Sequence, residues 1–133
     1  FFSIFAQLYF YMKYLCVLLL FSFFGCYTTT RNCNDFKTGA FYSEVTIDGT
    51  LYKSTFNRSE NLQIETYNNK IDSSKLRWIN DCEVIFKTIR PKNMAERKDI
   101  HLKILTTTDT SYTYEYSYVG ETKKQKGIAY KTK

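Results

Sequence analysis

From residue 36 onward, apolar and polar side chains alternate with a period of two, interrupted at short intervals by turn residues. Phe41, Ser43, Val45 and Ile47 alternate with Tyr42, Glu44 and Thr46. Asp48-Gly49 accepts the positive φ of a two-residue hairpin turn and leads into a strand from Leu51 to Phe56. Arg58 to Asn61 reads as the next turn, and Asn57-Arg58-Ser59, which matches a glycosylation sequon, is read as part of that turn. Leu62, Ile64 and Thr66 form one face of a third strand, and Asn68-Asn69 supplies another turn pair. Leu76 and Trp78 share a face opposite Lys75 and Arg77, and Asn80-Asp81 ends that strand. Cys82 to Ile89 runs on as a strand to Pro91, which lacks a ladder donor. Pro91 to Asp99 is the longest polar connection, with room for one helical turn. Ile100, Leu102 and Ile104 then alternate with His101 and Lys103. A turn at Asp109 to Ser111 precedes Tyr112 to Val119, Gly120-Glu121 turns the chain again, and a last strand spans Lys124 to Tyr130.

This pattern predicts an all-β domain, an antiparallel up-and-down meander of about eight strands. Closure into a small barrel hides the edge strands; a curled open sheet is the alternative.

The N-terminal residues carry no such alternation. Met12 and Lys13 precede an apolar run from Tyr14 to Phe24, closed by Gly25 and Cys26, which is the form of a bacterial export signal folded as a helix. The run is about 11 residues, whereas a bilayer-spanning helix needs about 20. A small residue before a cysteine is what lipoprotein signal peptidase requires, so Cys26 is the expected lipidation site. Residues 1–11 lengthen the apolar stretch to about 25 residues, and a transmembrane helix is the alternative this raises. The preferred reading starts the protein at Met12, with residues 1–11 upstream of it. The expected organisation is then a signal peptide over 1–25, a lipidated cysteine and tether over 26–35, and a single β domain over 36–133. Two or three acyl chains, at about 0.8 kcal/mol per buried methylene, hold such a protein stably on a membrane. The residues after Cys26, YTTTRNC, are not acidic, so the expected location is the periplasmic side of the bacterial envelope, at the outer membrane before the inner.

Removing the signal leaves about 108 of the 133 residues, enough for one core. Lys13 is the only charged residue lost, so the net charge of +6 falls to +5, which favours anionic head groups. Cys16 leaves with the signal and Cys26 takes the lipid. Cys33 and Cys82 remain, and in an oxidising compartment a disulfide is their expected state. Closing a loop of about 50 residues contributes roughly 4 kcal/mol on the chain-entropy argument. A zinc site needs close-spaced ligands, and two distant cysteines with one histidine, His101, do not supply them.

Tyr112, Tyr114, Tyr116 and Tyr118 project from one face of one strand. Lining a barrel lumen, they form an amphipathic wall for a flat or lipidic ligand; packed against other strands, they are core. Trp78 is a further candidate ligand-facing residue, with packing beside the disulfide as its plainer role. Basic residues gather at Lys87, Arg90, Lys92, Arg97 and Lys98, and again at Lys123, Lys124, Lys126, Lys131 and Lys133. Export argues against nucleic acid as their partner and for a solvated face near the membrane. No nucleophile motif surrounds a serine, His101 lies mid-strand, and there is no Gly-rich phosphate loop, so neither catalysis nor a cofactor is expected.

The segments KTGAFYSE, KIDSSKLRWINDCEV, RPKNMAE and HLKILTTT together resemble a family of short Bacteroidota lipoproteins of unknown function, over most of Cys33 to Lys131. Some of its members are labelled "DNA topoisomerase IV", an activity that needs an ATPase domain and a DNA-cleavage domain far beyond 108 exported residues. Gly39-Ala40-Phe41 is faintly similar to the lipocalin Gly-x-Trp opening, with Phe41 at the tryptophan position, which implies a lipocalin-like barrel. The expected role is that of a monomeric envelope binding protein for a small apolar or aromatic ligand. The alternative is an interaction lipoprotein with a filled core and an envelope protein as partner.

Overall fold

The structure, a computed structural model, describes residues 2–21, 25 and 30–132. The expected lipidation site, Cys26, lies outside the described residues. The apolar N-terminal stretch forms helix α1 (Phe2–Phe21). Ile4, Phe5, Leu8, Phe10 and Leu15 on it are all exposed. No helix among the described residues is long and apolar enough to cross a membrane.

Eight strands follow, each hydrogen-bonded to the next, and β8 pairs with β1 to close a barrel. They are β1 (Gly39–Ile47), β2 (Thr50–Arg58), β3 (Leu62–Tyr67), β4 (Lys70–Asn80), β5 (Glu83–Thr88), β6 (Ile100–Thr107), β7 (Ser111–Tyr118) and β8 (Gln125–Lys131). All eight pairings are antiparallel, so the fold is a closed up-and-down β-barrel of the small, lipocalin-like kind. Closure leaves no strand with an unpaired edge.

Turn chemistry sets the register. Asp48 and Gly49 both take positive φ, 49° and 80°, the conformation a two-residue hairpin needs, and Ile47 therefore pairs with Thr50. The same device operates at Asn68 and Asn69, at φ 47° and 60°, between Tyr67 and Lys70. Counting back from the first turn brings Phe41 opposite Phe56, and both face inward. Pro91 to Asp99 holds no helix; it is a hydrogen-bonded turn in which Asn93 Oδ1 accepts from the Glu96 amide at 2.9 Å.

One expectation is corrected, and another is borne out on a side the alternation left open. Arg58 is not in a turn but ends β2, and it is only 4% exposed. Two residues beyond inward-facing Phe56, it is carried into the interior by the strand's own alternation. On β3, Leu62, Ile64 and Thr66 do share a face, but it is the outer one; Gln63 and Glu65 face the lumen. A register that pairs Arg58 with Gln63 forces this, because a shift of one residue exchanges the faces of a strand.

Candidate ligand cavity

One end of the barrel is plugged. Cys33–Phe36 forms a short 3-10 helix held to the turn after β4 by the Cys33–Cys82 disulfide, whose Cα atoms stand 5.2 Å apart. Just before it, Arg31 Nη1 donates to Ile104 O at 2.8 Å and the Asn32 amide donates to Thr107 Oγ1 at 2.9 Å. Arg31 and Asn32, inside the segment expected to be tether, are therefore docked on the barrel. Phe36, fully buried, enters the barrel end with its ring centroid 5.0 Å from that of Tyr112 and 6.3 Å from that of Phe41.

Above this plug lies Arg58. Its Nε donates to Gln63 Oε1 at 2.8 Å and its Nη1 to Phe36 O at 3.1 Å. Five rings surround the guanidinium: Phe56 at 4.9 Å from ring centroid to Cζ, Phe86 at 5.7 Å, Phe41 and Tyr112 at 5.8 Å, and Trp78 at 5.9 Å. The delocalised cation is held by ring faces and two acceptors, an environment that suits arginine and not lysine. Among the described residues no carboxylate forms an ion pair with it.

Between Arg58 and the other end of the barrel is a cavity of about 360 Å³. It has two unlike walls. Tyr112, Tyr114 and Tyr116, with Leu102 and Phe86, make an aromatic and apolar side. Ser43, Ser54, Glu65 and Ser74 make a polar side. On the polar side Ser43 and Ser54 share a hydrogen bond of 2.8 Å, and Ser54 donates to Glu65 Oε1. Lys53 and Asp72 also line the cavity, and each has an ion-pair partner, Glu44 at 3.1 Å and Lys92 at 3.3 Å.

Next to the tyrosine wall, β8 is small where β7 is large. Tyr112 pairs with Ala129 and Tyr114 with Gly127, so the bulky rings of one strand rest against a methyl and a hydrogen on the next. Burial pushes the Tyr112, Tyr114 and Tyr116 phenols above the ordinary tyrosine value of 10.0, and the negative charge of Glu65 across the lumen adds to the effect on all three. The Tyr112 hydroxyl, on a residue 1% exposed, has no hydrogen-bond partner among the described residues.

Of the residues expected to face a ligand, Tyr112, Tyr114 and Tyr116 line the cavity and Tyr118 and Trp78 do not. Tyr118 lies at the strand's end, where Lys98 Nζ sits 5.3 Å from its ring centroid. Trp78 packs on the core at the plugged end, flanked by Arg58 and by Lys37, whose Nζ is 5.3 Å from its ring centroid. Arg58, Gln63 and Glu65 escaped the reading of the sequence. Continuing the alternation of β2 two residues past Phe56 is the signal that finds the first, and the strand pairing then supplies the other two.

His101 has another use: its Nε2 lies 2.8 Å from Glu83 Oε2, with Lys103 Nζ 3.6 Å from the same carboxylate. The basic clusters are partly consumed in ion pairs, Lys98 with Glu121 and Lys124 with Glu115. Among the described residues no group of three or more His, Cys, Asp or Glu is placed to hold a metal ion. Comparison with known proteins yields no matching family model, no matching curated protein and no matching solved structure.

Proposed function

We propose that this chain is a lipid-anchored binding protein on the periplasmic side of the bacterial envelope, and that its barrel takes a small ligand with an apolar or aromatic body. The observation that carries the reading is the cavity of about 360 Å³ walled on one side by Tyr112, Tyr114 and Tyr116. Small-molecule sites begin at about 300 Å³ and combine an apolar lining with a few polar groups, which describes this interior. An interaction lipoprotein with a filled core is the weaker reading for the same reason. The anchor rests on Gly25-Cys26 after a short apolar run and on the resemblance to Bacteroidota lipoproteins, and the net positive charge suits a position against anionic head groups.

Native mass spectrometry of the protein purified from its own membranes tests both halves. The expected spectrum carries an acyl mass on Cys26 and a small molecule retained by the folded barrel. A protein without the acyl mass ends the anchor. A barrel that retains nothing and does not bind the neutral probe N-phenyl-1-naphthylamine ends the carrier.

A further inference from the structure

The cavity is electrically polarised along its length. At its plugged end sits the Arg58 guanidinium, 4% exposed and without an ion pair among the described residues. Beside it the Tyr112 hydroxyl, also buried, is a donor lacking an acceptor among the described residues. The hydroxyl calls for an acceptor, and the guanidinium, which has two neutral acceptors and no carboxylate among the described residues, favours an anionic one. A buried donor without an acceptor is unfavourable, so a ligand that supplies one is favoured by the same mechanism.

Nearer the opposite end the sign reverses. Glu65 is two residues along β3 from Gln63, the partner of Arg58, a step of about 7 Å. Its carboxylate takes the Ser54 hydroxyl and no cation among the described residues. Asp72, directly opposite Glu65 in the register and also lining the cavity, adds a second negative charge there, only partly answered by Lys92 at 3.3 Å. Like charges on facing positions destabilise a sheet unless something positive lies between them. Lys53, the other cation on the lining, is engaged by Glu44 at 3.1 Å.

We propose, building on the carrier reading, that the ligand is a small zwitterion of the amino-acid class with an aromatic or apolar side group. Its carboxylate accepts from Arg58 and Tyr112, its ammonium donates to Glu65 with Asp72 behind it, and its side group lies on Tyr114, Tyr116 and Leu102. A carboxylate and an ammonium on one carbon, each reaching a partner through a charge-assisted bond of about 2.8 Å, span the step of about 7 Å between the two levels. A simple fatty acid fits less well, because its tail would cover Glu65, Asp72 and Ser43 and leave them unsolvated.

Matched probes separate the charges. L-tryptophan, tryptamine and indole-3-propionate carry one ring with both charges, the positive charge alone and the negative charge alone. Their binding to the detergent-solubilised full-length protein is read by calorimetry, with N-phenyl-1-naphthylamine as a neutral reporter of the cavity. Tryptophan is expected to bind at least about tenfold more tightly than either single-charge analogue, the worth of one charge-assisted hydrogen bond. Tyr112→Phe, a change that keeps the ring, should weaken tryptophan and indole-3-propionate and spare tryptamine. Glu65→Gln should weaken tryptophan and tryptamine and spare indole-3-propionate. Three indoles of equal affinity, a variant that weakens all three alike, or a protein that binds the neutral reporter and no indole overturns the zwitterion. If the neutral reporter also fails to bind, the carrier reading falls with it.

Discussion

The phenol of Tyr114 lies over Gly127 on the neighbouring strand, so close that a Cβ on the glycine would stand 2.6 Å from the ring Cζ and hydroxyl oxygen and 2.8 Å from Val45 Cγ2. An aromatic ring laid across a strand glycine covers backbone that the missing side chain leaves bare. It also ties the shape of the cavity to a single hydrogen atom. Gly127→Ala should therefore displace the Tyr114 ring and destabilise the barrel by about 1–3 kcal/mol, the usual cost of overpacking. Urea unfolding of the double-mutant cycle with Tyr114→Ala checks the cause: the cost of Gly127→Ala should fall once the ring is gone, and what remains belongs to the Val45 methyl.

Arg58 holds the plug to the barrel through Phe36 O and orders Gln63. Lysine keeps the charge but loses the planar fork and the stacking on five rings, so Arg58→Lys should cost about 2–4 kcal/mol in urea unfolding. Arg58→Met keeps the volume and removes the buried charge, leaving two acceptors unpaired at about 1–3 kcal/mol each. A methionine variant as stable as the lysine variant would show that the fork geometry and the stacking, and not the charge itself, stabilise the barrel.

The Cys33–Cys82 bridge spans a sequence separation of 49, and its loss should reduce stability by roughly 4 kcal/mol on the chain-entropy argument. Because it pins the 3-10 helix that carries Phe36, the damage in Cys33→Ser should concentrate there. Hydrogen exchange should rise first at the Asp35 and Lys37 amides, whose bonds to Asn32 O and Asn34 O hold that turn at 3.3 Å each.

The cavity tyrosines resist ionisation. Their phenols titrate above 10.0 in the fold, so the stability they contribute is fully present below that value and is lost as pH rises above it, when the unfolded chain ionises first. In an ultraviolet titration of the folded protein, Tyr112, Tyr114 and Tyr116 should stay neutral above pH 10.0 and release their protons only as the barrel opens. Tyr→Phe at any one of the three should remove one late proton. An unchanged late phase would refute its assignment to the cavity.

Much of this architecture is legible locally. Period-two alternation, Asp48-Gly49, Asn68-Asn69 and Pro91 are statements about neighbouring residues, and each acts through backbone sterics that need no distant partner. The disulfide was legible for a different reason, since two cysteines remain once Cys16 and Cys26 are assigned to the leader and the lipid. Tyr112 to Tyr118 announced a one-sided strand just as plainly. What alternation could not say is which side of β3 looks inward, because Leu62-Ile64-Thr66 is the more apolar set and still lies outside.

By itself, then, the sequence determined that the chain forms a meander of short strands, where those strands turn, and which face of most of them is apolar. Only the tertiary structure decided that the meander closes, that Arg58 stands among five rings at the floor of the cavity, and that Glu65 faces the tyrosines across an open lumen. Closure joins β1 to β8 across most of the chain, and register propagates from one hairpin to the next. The placement of a single charge is in that way settled by residues far from it, through pairings that no local pattern encodes.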